Sequence, residues 1–273
     1  MYRQPLTQGA LAVLTSLLCL SWLAPAQEIV QPANAKFPCP EKLSYHVEWH
    51  GITAGLATVD MVQPRPDQWQ ISLDLQSAGM VSRLYHIADK YKALTGSKFC
   101  GVSSDMDAQE GKHHKYEKVS FDASHRKVEY YEHDLVKNQE TRKDLEAPPC
   151  TYEIVGALAA LRTIDLEPGK TITVPVTDGK KLANVRIDSQ AKETVNVGGK
   201  NYPATRYEAF VFDNVLYKRK GRLQVWITDD ADRIPVLFRM QMGFPLGTVS
   251  VELDKQEPGS NLAATSKLPN ASS

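Results

Sequence analysis

Short runs in which apolar and polar residues alternate recur along this chain, and that period of two is what a half-buried β-strand requires. The cleanest is Trp69, Ile71, Leu73 and Leu75, alternating with Gln70, Ser72, Asp74 and Gln76. Leu43, Tyr45, Val47 and Trp49 alternate in the same way with Ser44, His46, Glu48 and His50. Ala57, Val59 and Met61 extend a second strand, which Pro64-Arg65-Pro66-Asp67 breaks. Another strand runs through Tyr91, and residues 115–121 and 128–133 form the arms of a hairpin. Strands are also expected around Ile172, Val174 and Val176, around Val185 and Ile187, and over residues 207–212, 223–228, 236–242 and 248–253. In Val195-Asn196-Val197-Gly198-Gly199-Lys200, the Gly-Gly pair fits the positive φ of a two-residue hairpin turn.

Helical spacing is clear in one place. Ile154, Leu158 and Leu161, with Val155 and Ala159 beside them, predict a helix over residues 152–164, with Thr151 as its N-cap. Residues 79–85 fit one short helical turn, and residues 146–150 with Pro148-Pro149 fit a loop. The fold expected is mainly β: a curved or partly closed antiparallel sheet, open and barrel-like, with one central helix. A β-sandwich is the alternative.

Residues 1–26 read as a signal peptide, with Arg3, an apolar run over residues 10–23 and the small-residue site Ala24-Pro25-Ala26. That run is shorter than the roughly 20 residues of a membrane-spanning helix, so the expectation is a periplasmic protein that does not span a membrane. Residues 27–40 read as a linker, 41–256 as a single β-rich domain and 257–273 as a disordered tail. The 32 cations and 32 acids cancel, which removes the field that would steer the chain onto nucleic acid. After the signal, Cys39, Cys100 and Cys150 remain. In an oxidising compartment two of them pair. Cys100–Cys150 is favoured, since both end a predicted element and flank the central segment, and Cys39 is then free or paired between chains.

Four segments carry a family likeness. They are Leu43-Ser44-Tyr45-His46-Val47-Glu48-Trp49 with Ala54-Gly55; Gly79-Met80-Val81-Ser82-Arg83-Leu84-Tyr85; Asp178-Gly179-Lys180-Lys181; and Val225-Trp226-Ile227-Thr228-Asp229-Asp230-Ala231-Asp232-Arg233-Ile234-Pro235-Val236. Together they resemble the exported bacterial proteins grouped as domain-of-unknown-function family 3108, over most of residues 41–256. The resemblance implies a β-rich periplasmic domain and brings no catalytic residues. The implied architecture is similar to that of the curved-sheet lipoprotein carriers of the periplasm, a likeness of fold that does not establish function.

His46, Glu48 and His50 share a strand face, but three such positions span about 13 Å, too far to meet one ion. They read as an exposed polar face, and no metal or cofactor is expected. His113 and His114 read as loop residues. Asp229, Asp230 and Asp232 read as a turn bonded to backbone amides, with Arg233 neutralising a carboxylate. Lys218, Arg219, Lys220 and Arg222 form the densest basic run, a solvated turn or strand edge first and an anion contact second. Asp178-Gly179-Lys180-Lys181 is likewise a tight turn before it is an anion site. There is no Gly-x-Ser-x-Gly, no phosphate-cradling Gly loop and no Cys beside a His, so no catalytic residue is assigned.

The function expected is therefore non-enzymatic binding or carriage of a lipid or other hydrophobic ligand, on a concave face holding Tyr45, Val47, Trp49, Trp69, Ile71, Leu73 and Leu158. An envelope assembly protein that binds another envelope protein along a sheet edge, and a metal-dependent hydrolase, are the alternatives.

Overall fold

A computed structural model of the protein describes residues 39–243 and 247–259. The segment read as a signal peptide, most of that read as a linker and the last 14 residues of that read as a tail lie outside the described residues.

The first described strand lies in the middle of the sheet. Strands β1 (Glu41–Trp49), β2 (Ile52–Arg65), β3 (Gln68–Ser77), β4 (Ile87–Gly96), β5 (Gly101–Glu110), β6 (His113–Asp122), β7 (Lys127–Asp134) and β8 (Gln139–Glu146) follow one another outward to one edge. A short helix α1 (Gly79–Leu84) lies between β3 and β4. Helix α2 (Ile154–Arg162) then leads to the opposite edge. From there β9 (Thr171–Thr177), β10 (Leu182–Val197), β11 (Lys200–Ala209), β12 (Gly221–Thr228), β13 (Pro235–Met242) and β14 (Thr248–Pro258) return to the centre, where β14 pairs antiparallel with β1. The result is one antiparallel sheet of 14 strands, open between β8 and β9, rather than a sandwich.

Turn chemistry explains the tight hairpins. His50 and Gly51 both have positive φ between β1 and β2, and Gly198 and Gly199 do the same between β10 and β11, the geometry of turns that match strand twist. Register shifts at Ser44/Tyr45, Val47/Glu48, Leu94/Thr95 and Trp226/Ile227 insert bulges, which bend the strands and curl the sheet.

The curl brings both arms onto α2. Ala159, Ala160 and Leu161 share a core with Met61 and Ile71 of one arm and with Val174, Ile187, Val225 and Ile227 of the other. The seam is bridged by side chains: Lys180, in the β9–β10 turn, bonds Glu117 of β6 and Glu132 of β7, and its carbonyl accepts from Lys143 of β8. Tyr152 adds an isolated parallel bridge to Val176 on the β9 edge.

At the far end of α2, Arg162 and Glu41 form a buried bidentate ion pair at 2.7 and 3.2 Å. Arg162 also donates to the carbonyls of Arg233 and Asp232. Arg233 donates back to the carbonyls of Arg162 and Ile164 and to the Tyr207 hydroxyl. It therefore caps carbonyls at the helix end, where a carboxylate partner was expected.

Several expectations are corrected. The helix is shorter than residues 152–164, and its N-cap is Glu153; the Thr151 hydroxyl donates instead to the carbonyl of Pro148. Strands β5 and β8 carry no clear apolar alternation and were not expected. The strand expected at residues 207–212 is β11, which begins at Lys200 and ends at Ala209. His113 and His114 open β6 rather than lying in a loop. Strand β14 continues to Pro258, two residues into the segment read as tail. Cys100 and Cys150 form the disulfide, and Cys39 is free and exposed.

Candidate functional site

Antiparallel pairing sets the concave face in rows. One row runs Val59, Leu73, Tyr91, Met106, Glu117, Glu132 across β2 to β7; the next runs Ala57, Leu75, Asp89, Ala108, Lys115, Asp134. Both are apolar as far as β3 and mix ionisable with apolar residues beyond it. A cavity of about 710 Å³ opens at that change, between the inner face of β3–β6, the N-terminus of α2, the β9–β10 turn and Tyr217 of the β11–β12 loop. Leu73, Leu75, Met106, Val119, Phe121 and Val155 give it apolar walls.

Glu153 is the polar centre of the helix end. One carboxylate oxygen accepts from the amide of Gly156 at 2.5 Å; the other accepts from the amide of Val155 and from the Tyr91 hydroxyl, each at 2.8 Å. Position 156 admits only glycine, because a Cβ there would stand 2.6 Å from Glu153 Oε1 and 2.8 Å from the carbonyl of Phe99. Glu153 is 3% exposed, and burial raises its pKa to about 7 against the three hydrogen bonds that favour the ionised form. Burial also raises the Tyr91 phenol, aided by the Glu153 carboxylate, so Tyr91 stays a hydrogen-bond donor.

Asp89 lies two residues from Tyr91 on the same strand face. It is 7% exposed, and its Oδ1 accepts from the amide of Gln109 at 2.9 Å. Burial first, and the neighbouring Glu110 second, raise its pKa to about 6.

The opposite wall is electrically closed. Lys115 pairs with Glu132 at 3.2 Å, and Lys180 pairs with Glu117 at 2.8 Å and Glu132 at 2.9 Å. Among the described residues, no basic side chain comes within ion-pair distance of Asp89, Glu110 or Glu153.

Of the apolar residues expected to bind ligand, Leu73 lines this cavity. Tyr45 is buried, donating its hydroxyl to the carbonyl of Pro235 and setting its ring against Phe238. Ile71 is buried in the core around α2, Trp69 stacks on Phe99, and Leu158 packs against that same core. Val47 and Trp49 are half-buried toward the end of β1, with Trp49 against the His50 ring. The strongest apolar alternation thus marks the packed part of the concave face, whereas the cavity wall is mixed.

Lys218, Arg219 and Lys220 are exposed in the β11–β12 loop, while Arg222 is held bidentately by Glu208 at 2.8 and 2.7 Å. Asp178 Oδ1 accepts from the amides of Lys180 and Lys181, a tight turn. Asp230 Oδ1 accepts from the Thr228 hydroxyl and from the amides of Asp232 and Arg233, so the aspartate cluster is also a turn. His50 sits in its turn at φ 52°. On the outer face, His46, Glu48 and Glu252 bring ligating atoms within 4.8 Å of one another, and His46 Nδ1 lies 2.6 Å from Asp254.

The family model described as a protein of unknown function, DUF3108, matches residues 44–254. The chain belongs to the DUF3108 family. This DUF3108 chain is similar in structure to a β-barrel-like protein of domain of unknown function DUF1849 from Brucella abortus, with TM-score 0.56 and 9% identity over 83% of this chain and all of that one. At that identity the likeness shows the fold alone. A protein with a YmcC-like fold from Bacteroides fragilis gives TM-score 0.37 at 8% identity, covering 81% of this chain and 98% of that one. A hypothetical protein from Chlamydia trachomatis gives 0.34 at 6%, covering 81% and 89%. No curated protein matches the chain.

Proposed function

We propose that this DUF3108 protein is an exported, non-enzymatic binding protein that holds an apolar ligand in the concavity of its sheet. The cavity carries the reading: about 710 Å³ lies within the range of small-molecule sites, and its walls combine large apolar side chains with a few convergent polar groups. The sequence features of export and the Cys100–Cys150 disulfide support an oxidising compartment such as the periplasm. The edge-binding alternative has less support: of the two outer strands, β8 carries Arg142, Lys143 and Asp144, charges that oppose strand addition, and uncharged β9 holds Pro175 and is already bridged at Val176 by Tyr152. The hydrolase alternative would use His46, Glu48 and Glu252, which lie on the face turned away from the cavity.

Two measurements test the binding reading. Native mass spectrometry of protein purified without detergent should find a co-purified apolar molecule. Nile red, a neutral probe, should bind saturably, and Ala108→Trp, which fills the cavity, should reduce that binding at least tenfold while leaving the melting temperature within a few degrees. Absence of both signals would overturn it.

A further inference from the structure

The geometry points to a cationic ligand: the cavity selects an apolar molecule whose polar end is a protonated amine, held by Asp89 at the acidic end formed with Glu110 and Glu153. This inference rests on the binding reading above and adds the chemistry of the head group.

The distribution of charge around the cavity decides the sign. Lys115 and Lys180 are the lysines lining it, and Glu117 and Glu132 already neutralise them; His113, also on the lining, is exposed. An anionic head group could recruit either lysine only by taking it from a half-buried glutamate, and it would then face Asp89 and Glu153 inside the same space. Those acids, with Glu110 at the rim, have no basic partner within ion-pair distance among the described residues. A cation therefore enters a site whose counter-charges are in place and unmatched.

Hydrogen bonding points the same way. Asp89 is more than nine-tenths buried, lines the cavity and uses one oxygen on the Gln109 amide. Its other oxygen makes no hydrogen bond among the described residues and is free to accept. An ammonium group offers three donors and no acceptor, and a charge-assisted bond is the stronger kind. Glu153 is already bonded by two amides and the Tyr91 hydroxyl, so it contributes field rather than a vacant acceptor. Beyond this end, Leu73, Leu75, Met106 and Phe121 offer an alkyl tail apolar wall.

Proton linkage gives a second signature. Burial raises Asp89 to about 6 and Glu153 to about 7, so at pH 5 both are largely protonated and the field is weak. A bound cation favours the ionised forms, so affinity rises with pH through this range and levels off above it. The groups facing these two acids are Asp107 and Glu110 from β5, Tyr91 from β4, His113 and Lys115 from β6, Asp178 and Lys180 from the β9–β10 turn, and Tyr217 from the β11–β12 loop. Several charged groups face the site, so the variant Asp89→Asn, not the pH profile alone, assigns the effect.

The experiment compares decylamine, decanol and decanoate, below their aggregation limits, as competitors of Nile red on the full mature chain at pH 8 and pH 5. Decylamine should compete at least tenfold better than decanol at pH 8, lose most of that advantage at pH 5, and outcompete decanoate. Asp89→Asn keeps the oxygen that meets Gln109. It should bring decylamine down to the level that decanol shows on the same variant, with a urea midpoint close to that of the wild type at pH 8 showing that the variant is folded. If decanol binds and decylamine gains nothing over it, or decanoate binds best, the charge inference is overturned and the apolar-binding reading stands. If Nile red and all three competitors fail to bind, both fall.

Discussion

Replacing Glu153 by Gln should flatten part of the dependence of stability on pH. Glu153 is raised from 4.5 to about 7 by burial. The folded state therefore keeps this proton where the unfolded chain has lost it. The stability linked to it is fully present below about pH 4.5 and is lost as pH rises through about 7. Each pH unit between the two values corresponds to about 1.36 kcal/mol, so the group takes on the order of 3 kcal/mol from the fold between acid and neutral pH. The glutamine side chain of the Glu153→Gln variant has no proton to lose. Its single amide oxygen can replace only one of the two carboxylate oxygens that accept from Gly156 and Val155, and its NH2, turned to the oxygen of Tyr91, leaves the other amide unmatched, so the variant should be less stable by about 1–3 kcal/mol at low pH and the test lies in the slope with pH. Urea unfolding of both proteins at pH 4.5, 6 and 7.5, without reductant, measures this. Asp89, raised to about 6, titrates in both and cancels in the difference. The wild type should lose about 3 kcal/mol more than the variant across that range. Parallel stability curves would refute the argument that burial outweighs the three hydrogen bonds at Glu153.

Reducing the Cys100–Cys150 bond, or replacing both cysteines by Ala, opens a loop whose ends lie 50 residues apart, and should cost up to about 4 kcal/mol in the chain-entropy account; an unchanged urea midpoint would contradict it. Glu41→Gln removes the Glu41 carboxylate from the buried Arg162 guanidinium, so stability should fall by about 3 kcal/mol, and a loss under about 1 would show that the other partners of Arg162 suffice. Gly179→Ala places a Cβ 2.5 Å from Tyr130 and 2.8 Å from Val119 at a φ of +85°. It should cost about 2 kcal/mol and loosen the contact of the β9–β10 turn with β6 and β7, readable as weaker amide-exchange protection on those strands; wild-type protection and stability would show that Tyr130 moves aside freely.

The sheet was legible wherever its inner face is packed with apolar side chains. Trp69, Ile71 and Leu73 on β3, and Leu43 and Tyr45 on β1, alternate because solvent lies on one side and core on the other. The same rule fails at β5, whose inward residues are Ser104, Met106, Ala108 and Glu110, since a strand that lines a mixed cavity has no apolar face to display. It fails again at β8, an exposed edge with charges along most of its length. The cavity was hidden for the same reason. Asp89 stands in the inward phase of β4 with Tyr91, Ala93 and Thr95, and an acid in that phase is its one local signal. Glu153 directly precedes the helical run and has the side chain of a cap acceptor. Its contact with Tyr91 spans 62 residues and depends on where the crossover lands. The Arg162–Glu41 pair spans 121 residues and has no local signature.

Topology accounts for why that crossover builds the site. Because β1 and β14 pair at the centre, the two arms end at opposite edges, and the segment joining β8 to β9 has to cross from one to the other. In a flat sheet that segment would lie on a surface. In a curled one it passes through the concavity, so α2 becomes filler for one part of the interior and a wall for the rest. Where it enters is fixed at three successive residues: Cys150 is bonded to Cys100 ahead of β5, the carbonyl of Thr151 accepts from Gly101, and Tyr152 bridges Val176 of β9. Glu153 is the next residue. Its carboxylate is therefore held against Tyr91 by covalent and backbone ties to both arms, and the polar end of the cavity is set by the connection between the arms rather than by either one. A helix of 9 residues is about 14 Å long, too short to cover the inner face of so wide a sheet. The space over β4 to β6 stays open for that reason, with the buried carboxyls of Asp89 and Glu153 turned toward it.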